Sequence, residues 1–273
     1  MRVRIHPNYN YKAIFFNGKT LRIAIDPTKD IYGLPHPEFY DIKITNKCFG
    51  NCPYCYQNST RNDEHFDNII EKTKEFFGPL SDNNKPFQVA IGGGEPTLHP
   101  NFIELLKTFK ELGIEPNYTT NGMNLTDEIL EATKEYCGGV AISCHPHLRK
   151  YWEPAIYKLN KLGIVVNLHL VISDKASQDN FMYIYNRFEP LVDYFVLLPI
   201  VNKGRSIGNS IDYKCLKIKL QMIKPNLNKI AFGAGFYEFL KENKWINASL
   251  YQPEAFSKYL DMSNMKVYNS SFE

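Results

Sequence analysis

Residues 47–58 of the chain read KCFGNCPYCYQN and place three cysteines, Cys48, Cys52 and Cys55, within eight residues. The chain has 273 residues and six cysteines, so half of its thiols lie in this one stretch. Closely spaced thiolates are soft ligands that suit zinc or an iron–sulfur cluster. The stretch therefore predicts a metal centre.

Around this stretch, short apolar segments alternate with helix-like segments. We predict strands at Tyr40–Thr45, Phe87–Gly92, Glu115–Thr120, Gly139–Cys144, Ile164–Ser173 and Tyr194–Ile200, and helices that begin near His65, Asn101, Thr126, Leu148, Ser177 and Ile211. Six consecutive strand–helix units predict an α/β fold with a parallel sheet and right-handed crossovers. Because a closed barrel needs eight units, we expect a partial (β/α)6 TIM-like barrel with its chemistry at the carboxyl ends of the strands.

The chain divides into three predicted parts. Residues 1–39 form an N-terminal extension with a β-hairpin that turns at Asn17-Gly18-Lys19. Residues 40–225 form the partial barrel, and residues 226–273 form a C-terminal segment that covers it. Within that segment we expect, in order, a further strand in KIAFGAG and short helices at Phe236–Glu242 and near Pro253–Leu260.

Composition excludes several classes of function. The formal net charge is +3, which is too even a balance to indicate nucleic-acid binding or an anionic membrane surface. No apolar run is long enough to span a membrane, and the N-terminus lacks the apolar core of a signal peptide. We therefore expect a cytoplasmic protein, and its reducing compartment disfavours disulfides.

Two kinds of metal centre remain open from the cysteines alone. A structural zinc site uses four closed ligands, commonly in two pairs, and the chain has no second Cys-x2-Cys, although His65 offers a fourth ligand. That interpretation describes a non-catalytic structural or sensing protein. An iron–sulfur cube with three protein thiolates instead leaves one iron open to a small molecule, whereas four cysteines make an electron-transfer cluster.

The motif Cys-x3-Cys-x2-Cys, in the loop after the first strand of a strand–helix series and with Tyr54 before its third cysteine, resembles the radical S-adenosylmethionine (SAM) superfamily. The stretch IGGGEPT at 91–97 is similar to the Gly-Gly-Glu motif of that family, with Gly93, Gly94 and Glu95 in the matching places. Glycines let the backbone approach a ligand, and a carboxylate accepts hydrogen bonds from the amino group of SAM. Alone, GGGEP favours an ordinary strand-to-helix turn, but its position one strand–helix unit after the cysteine loop favours ligand binding.

Four further residues match positions that commonly face SAM in this family, although a lone polar residue in a strand is more often a satisfied core group. They are Asn121 in YTTNGM, Ser143 in AISCHP, Asn167 in IVVNLHLVIS and Leu198 in LLPI. Because side chains alternate along a strand, His145 lies on the same face as Ser143, and His169 on the same face as Asn167. We predict both histidines as catalytic candidates for hydrogen bonding or proton transfer, against the alternative that they only pack.

The resemblance implies a [4Fe–4S] cluster, SAM as the second cofactor, and a 5′-deoxyadenosyl radical that abstracts hydrogen from a substrate. It also implies an electron donor such as flavodoxin or ferredoxin. Lys203 and Arg205 follow the sixth strand and could pair with a carboxylate or phosphate of cofactor or substrate. The stretches YDIKITNKC and GGGEPTLHPNF are closest to the branch with peptide-modifying enzymes, so a peptide or protein substrate is favoured over a nucleotide or nucleoside. The last cysteine is Cys215, so we expect no auxiliary cluster.

Replacement of Cys48, Cys52 or Cys55 by Ala is expected to abolish SAM cleavage, because each thiolate would bind one iron of the cluster. The measurement is 5′-deoxyadenosine formation after anaerobic reconstitution. Cys215→Ser is the matched control and is expected to leave the iron content unchanged. Cleavage retained in any of the three alanine variants contradicts the ligand assignment.

Overall fold

The computed structural model of the protein describes residues 1–246 and 256–273. Its strands are β1 (Arg2–His6), β2 (Tyr11–Phe16), β3 (Lys19–Ala24), β4 (Phe39–Lys43), β5 (Gln88–Gly92), β6 (Glu115–Thr120), β7 (Gly139–Ser143), β8 (Val166–Ile172), β9 (Tyr194–Pro199), β10 (Ile230–Phe232), β11 (Ser257–Asp261) and β12 (Lys266–Tyr268). Its α-helices are α1 (Ile69–Phe77), α2 (Phe102–Glu111), α3 (Asp127–Tyr136), α4 (Arg149–Lys161), α5 (Lys175–Phe188), α6 (Tyr213–Met222) and α7 (Tyr237–Glu242).

The large sheet has the strand order β10-β9-β8-β7-β6-β5-β4-β11-β12. The six predicted strands run from β4 to β9 as parallel neighbours, which confirms the repeated strand–helix fold. Two further strands extend it in parallel: β10 pairs with β9, and β11 pairs with β4. The hairpin partner β12 is antiparallel to β11. The two edge strands are not paired with each other, so the sheet forms a partial barrel.

Local sequence signals explain the helix boundaries. The Thr126 hydroxyl accepts a hydrogen bond from the Ile129 N–H and caps α3, which begins where the sequence predicts. Gly113 ends α2 and Gly163 ends α4, each with positive φ. Helix α1 begins later than predicted because His65, its expected start, forms an extended bridge with Thr45.

The two faces of the sheet differ in access to water. In β8 the buried residues alternate with Asn167, His169 and Val171, which stay partly exposed. The buried residues pack into the main hydrophobic core beneath the helices. The partly exposed residues therefore face the concave side of the sheet, which we call the lumen.

Contacts between distant strands show how strongly the sheet curves. Arg205, which follows β9, donates from its Nε to the Cys52 carbonyl, which follows β4, at 2.9 Å. These strands are five positions apart in the sheet, a separation of about 24 Å if the sheet were flat. The sheet must therefore wrap around the lumen to bring the two loops together.

The N-terminal extension closes the end of the lumen opposite the cysteine loop. It forms a three-stranded sheet in which β2 and β3 are the predicted hairpin and β1 pairs with β2. Phe15 stacks on Phe87 with ring centroids 5.2 Å apart, and the Arg2 guanidinium donates to the Phe87 carbonyl. On the far side, Lys19 lies over the ring of Tyr194 in β9.

One predicted element of the C-terminal segment is wrong. The strand in KIAFGAG and the helix at Phe236–Glu242 are present as β10 and α7. The helix predicted near Pro253–Leu260 lies partly outside the described residues, and from Ser257 onward the chain is strand β11. Phe256, Tyr259 and Leu260 have helical spacing, but the free edge of β4 supplies backbone partners that favour an extended chain.

No helix within residues 1–246 and 256–273 has the length and apolar character needed to cross a membrane.

Phe87→Ala is expected to destabilise the protein by about 3–5 kcal/mol, because the ring is fully buried between the N-terminal sheet and the barrel. Phe16→Ala removes the same side chain from an exposed position and is expected to change the free energy of unfolding by at most about 0.5 kcal/mol. Urea unfolding of both variants measures the difference. Equal losses of stability would show that the N-terminal sheet does not close the barrel through Phe87.

Candidate active site

The cysteine loop leaves β4 at the carboxyl end of the sheet. The end of the loop runs beside its beginning. The Cys48 N–H donates to the Thr60 carbonyl at 2.9 Å, and the Asn46 N–H donates to the Glu64 carbonyl at 3.3 Å. Within the loop, the Cys55 N–H donates to the Cys52 carbonyl. All three thiols of the motif are free and partly exposed.

The donors around these thiols suit bound thiolates. Cys48 Sγ accepts from the Gly50 N–H at 3.3 Å and from the Asn121 side-chain amide at 3.7 Å. Burial raises the pKa of Cys48 to about 11 and that of Cys52 to about 12. In a metal site the metal, not the protein, therefore has to stabilise the deprotonated thiols.

The zinc alternative has no support in the geometry of the described residues. Among residues 1–246 and 256–273, no three His, Cys, Asp or Glu side chains converge so as to hold one metal ion. His65 is engaged elsewhere: its Nδ1 lies 3.0 Å from the Thr45 hydroxyl, and its ring packs against His99. In a [4Fe–4S] cluster each thiolate binds a different iron, so the three cysteines suit such a cluster without converging on a point.

The loop after β9 braces the cysteine loop from across the lumen. Arg205 donates to the carbonyls of Cys52 and Ser59, and its own N–H donates to the Cys55 carbonyl at 3.0 Å. Gly204 allows this approach, because its φ is +61° and an added Cβ would overlap the Tyr56 carbonyl oxygen. The sequence suggested a phosphate or carboxylate partner for Arg205, but its guanidinium instead holds backbone carbonyls.

The other cation after β9 is engaged in the same way. Lys203 Nζ donates to the Phe272 carbonyl at 3.0 Å and so ties this loop to the C-terminal residues.

The glycine motif after β5 joins the cysteine loop on its other side. The Gly94 N–H donates to the Thr45 carbonyl and the Glu95 N–H donates to the Lys47 carbonyl, each at 2.8 Å. Gly93 has a φ of +130°, and a Cβ on Gly94 would overlap the Lys47 carbonyl oxygen. Only glycines allow the two segments to approach this closely.

Glu95 is buried at the centre of this junction. Its Oε1 accepts from the hydroxyls of Thr97 at 2.7 Å and Thr120 at 2.8 Å, and its Oε2 accepts from the Asn121 N–H at 2.8 Å. Burial raises the pKa of Glu95, and the hydrogen bonds oppose that rise. Sequence reasoning missed Thr97 and Thr120, although both lie next to the motifs that it used.

Hydrogen bonds thus link Glu95 through Asn121 to Cys48.

The remaining candidate residues line the lumen. Ser143 and His169 are register partners on β7 and β8, and Asn167 lies one layer below them. The Asn167 Oδ1 is buried and has no partner within the described chain. A ligand donor would satisfy it. Leu198 lies on the far strand β9, and no hydrogen bond joins it to the cysteine loop.

Tyr54 joins the cysteine loop to the loop after β7. Its hydroxyl lies 3.1 Å from Nδ1 of His145, and His145 stacks on His147 with centroids 5.9 Å apart. Burial lowers the pKa of His145 to about 4, with further lowering by His147 and His169, and burial also lowers the pKa of His169 to about 4. Both imidazoles are therefore neutral near pH 7. Cys144 points away from the lumen into the core.

Comparison with known proteins agrees with this geometry. The sequence model of the radical SAM superfamily matches residues 42–147, which include the cysteine loop and the glycine motif. The uncharacterized protein MJ0907 of Methanocaldococcus jannaschii is 30% identical over 223 residues, covering 74% of this chain and 73% of that protein. This chain belongs to the radical SAM superfamily. The enzymes of this superfamily use a [4Fe–4S] cluster and SAM.

Other relatives and solved structures are similar to part of the chain. The radical SAM cyclopropyl synthase TigE of Paramaledivibacter caminithermalis is 32% identical over 172 residues, covering 52% of this chain and 36% of that enzyme. The crystal structure of Streptococcus suis SuiB bound to the precursor peptide SuiA superposes with a TM-score of 0.70 at 18% identity, covering 87% of this chain and 60% of SuiB. In three further curated relatives the match covers only 17–30% of the relative's length.

Gly94→Ala is expected to destabilise the ligand-free protein by about 1–3 kcal/mol, because the added Cβ pushes the glycine motif away from the Lys47 carbonyl. Gly92→Ala is the matched control: a Cβ there meets nothing within 4 Å, and the expected change is at most about 0.5 kcal/mol. Thermal unfolding of both variants without iron or SAM gives the comparison. Similar stability of the two variants would rule out the close approach at Gly94.

The low pKa of His169 predicts an acid-sensitive fold. Between pH 6.5 and 4 the unfolded chain binds a proton that folded His169 refuses, so stability falls as pH falls. Between pH 7 and pH 5, the free energy of unfolding of the wild-type protein is expected to fall by about 1–2 kcal/mol more than that of His169→Asn. Urea unfolding at the two pH values measures this. An identical pH dependence in both proteins means that folded His169 takes up a proton normally.

Proposed function

We propose that this radical SAM enzyme abstracts hydrogen from a peptide or protein substrate bound in the lumen. The observation that carries the proposal is the partly exposed concave face of the sheet, at whose carboxyl edge the cysteine loop lies. Small side chains line this face at Ala90, Ala141 and Ser143, and all three stay partly exposed. A packed barrel interior would leave a substrate no room.

Cys48, Cys52 and Cys55 would hold the cluster, with Arg205 and the glycine motif fixing the loop that carries them. When both cofactors are bound, one-electron reductive cleavage of SAM supplies the 5′-deoxyadenosyl radical. Flavodoxin or ferredoxin is the proposed source of the electron, and the oxygen-labile chemistry accords with a cytoplasmic setting.

The chain's own residues would bind and orient SAM. Glu95 accepts hydrogen bonds only from neutral donors in the described structure, so the SAM ammonium would supply its missing positive partner. Gly93 and Gly94 are proposed to let the backbone approach the same end of SAM. SAM is proposed to form hydrogen bonds with the unpartnered Asn167 Oδ1 and with the partly exposed Ser143. Asn121 is proposed to order the Cys48 side of the site. Leu198 is proposed to contact the adenine.

The aromatic and imidazole groups have a separate proposed role. Tyr54 would pack against SAM while its hydroxyl stays tied to His145. His145 and His169 are neutral near pH 7 and resist protonation there, so we propose that either imidazole orients the substrate by a hydrogen bond.

The two cations that follow β9 favour a peptide over a nucleotide. A triphosphate needs free cations, but Lys203 and Arg205 are both hydrogen-bonded to backbone carbonyls. SuiB is described with a precursor peptide and anSMEcpe with AdoMet and the Cp18Cys peptide, and a PqqA peptide cyclase is 28% identical over 103 residues. A nucleotide remains the second candidate, because a probable GTP 3′,8-cyclase of Pyrococcus abyssi is 24% identical over 204 residues.

The test uses fully deuterated cell material separated into a peptide fraction and a nucleotide fraction. The enzyme, reconstituted anaerobically and reduced with dithionite, is incubated with SAM and each fraction, and 5′-deoxyadenosine is analysed by mass spectrometry. Deuterium is expected in 5′-deoxyadenosine with the peptide fraction only. The variant with all three motif cysteines replaced by Ala is the control.

Deuterium transfer from the nucleotide fraction alone would favour the nucleotide candidate. A colourless zinc protein that leaves SAM intact would instead support a non-catalytic metal site.

A further inference from the structure

Asp41 occupies the middle of β4, with a strand on each side. Its register partners are Ala90 on β5 and Tyr259 on β11. The side chain is nonetheless exposed, whereas its chain neighbours Tyr40 and Ile42 are buried in the core. A central strand residue that stays exposed must face an open space, so the Asp41 carboxylate points into the lumen.

This carboxylate has no partner of opposite charge. Within residues 1–246 and 256–273, Asp41 makes no side-chain hydrogen bond or ion pair, and the remaining nine residues, NASLYQPEA, include no Lys, Arg or His. The nearest cation on the same strand is Lys43, which is paired with Asp261 at 3.8 Å. An exposed carboxylate without a cationic partner, facing the chamber proposed for the substrate, is free to bind a cationic ligand.

Two aromatic rings accompany the carboxylate. Tyr259 lies beside Asp41 on the neighbouring strand, and Tyr56 extends from the cysteine loop. Burial raises the pKa of both phenols, and the Asp41 charge adds to that rise. The Tyr56 hydroxyl lies 3.1 Å from Ser271 Oγ, and its ring packs edge-on against Phe272, which holds the ring in place.

We propose that Asp41, Tyr56 and Tyr259 form a subsite for an organic cation of the substrate, a primary ammonium or a guanidinium. A carboxylate flanked by aromatic faces binds such groups through a charge-assisted hydrogen bond and cation–π attraction. The subsite rests on the proposed function, because it assumes that the substrate binds in the lumen. It deepens that function by selecting substrates with a basic group and rejecting phosphate-rich ones.

The titration of Asp41 adds a pH dependence. Loss of bulk hydration in the lumen raises its pKa to about 7. The other groups with charge or a titratable proton around it are Tyr56, Tyr259, Asp261 and its ion-pair partner Lys43. Because the carboxylate is neutral below this pKa, cation binding is expected to strengthen from pH 6 to pH 8.

The experiment measures binding to the reconstituted full chain under anaerobic conditions by titration calorimetry. The probes are the blocked peptide Ac-Gly-Lys-Gly-NH2, its neutral norleucine analogue and free n-pentylamine. The wild-type protein is expected to bind the lysine peptide at least about tenfold more tightly than the norleucine peptide at pH 8. Asp41→Asn, which keeps the shape, is expected to remove this preference.

Three further variants separate local from general effects. Glu131→Gln removes one negative charge from the outer surface of α3 and is expected to retain the tenfold preference. Tyr259→Phe keeps the ring and is expected to retain it too, whereas Tyr259→Leu is expected to weaken lysine-peptide binding. Binding of n-pentylamine as tightly as the peptide would support the subsite and assign it to a free amine.

Equal binding of the two peptides by the wild-type protein overturns the subsite, as does a preference that survives in Asp41→Asn. SAM cleavage to 5′-deoxyadenosine is measured in parallel and is expected to continue in Asp41→Asn. Its loss there would place Asp41 in the cofactor site and also overturn the subsite. A cation preference in a wild-type protein that forms no 5′-deoxyadenosine would support the subsite while overturning the proposed function.

Discussion

The site depends on the close backbone contact between the glycine motif and the cysteine loop. Two peptide hydrogen bonds, from Gly94 to Thr45 and from Glu95 to Lys47, fix the end of β5 against the loop that follows β4. Arg205 holds the same loop from the opposite wall. The cysteine positions are therefore set by backbone geometry on two sides, and a cluster can bind without the loop having to fold around it.

The buried Glu95 shows how this junction serves two purposes. Its carboxylate organises the junction through Thr97, Thr120 and the Asn121 N–H, and the Asn121 side chain in turn reaches Cys48. A buried anion without a cation is costly, and its three short hydrogen bonds offset only part of that cost. The same residue thus preserves the local structure and keeps an attraction for a positively charged ligand.

Burial is distributed unevenly over the barrel. The convex face carries the main apolar core, and the N-terminal sheet seals the end of the lumen around Phe87. The concave face keeps exposed or unpartnered polar groups, namely Asp41 and Asn167. Stability comes from the helices and the N-terminal sheet, which leaves the lumen free for ligands.

The sequence by itself determined the repeated strand–helix order and the family, because these depend on local periodicity and on motifs only a few residues long. It failed at residues 257–260, where apolar spacing typical of a helix is overridden by the free edge of β4. It also missed the brace at Arg205 and the unpaired Asp41. Only the tertiary structure decided these, since the curvature of the sheet brings distant loops together and determines which charges find a partner.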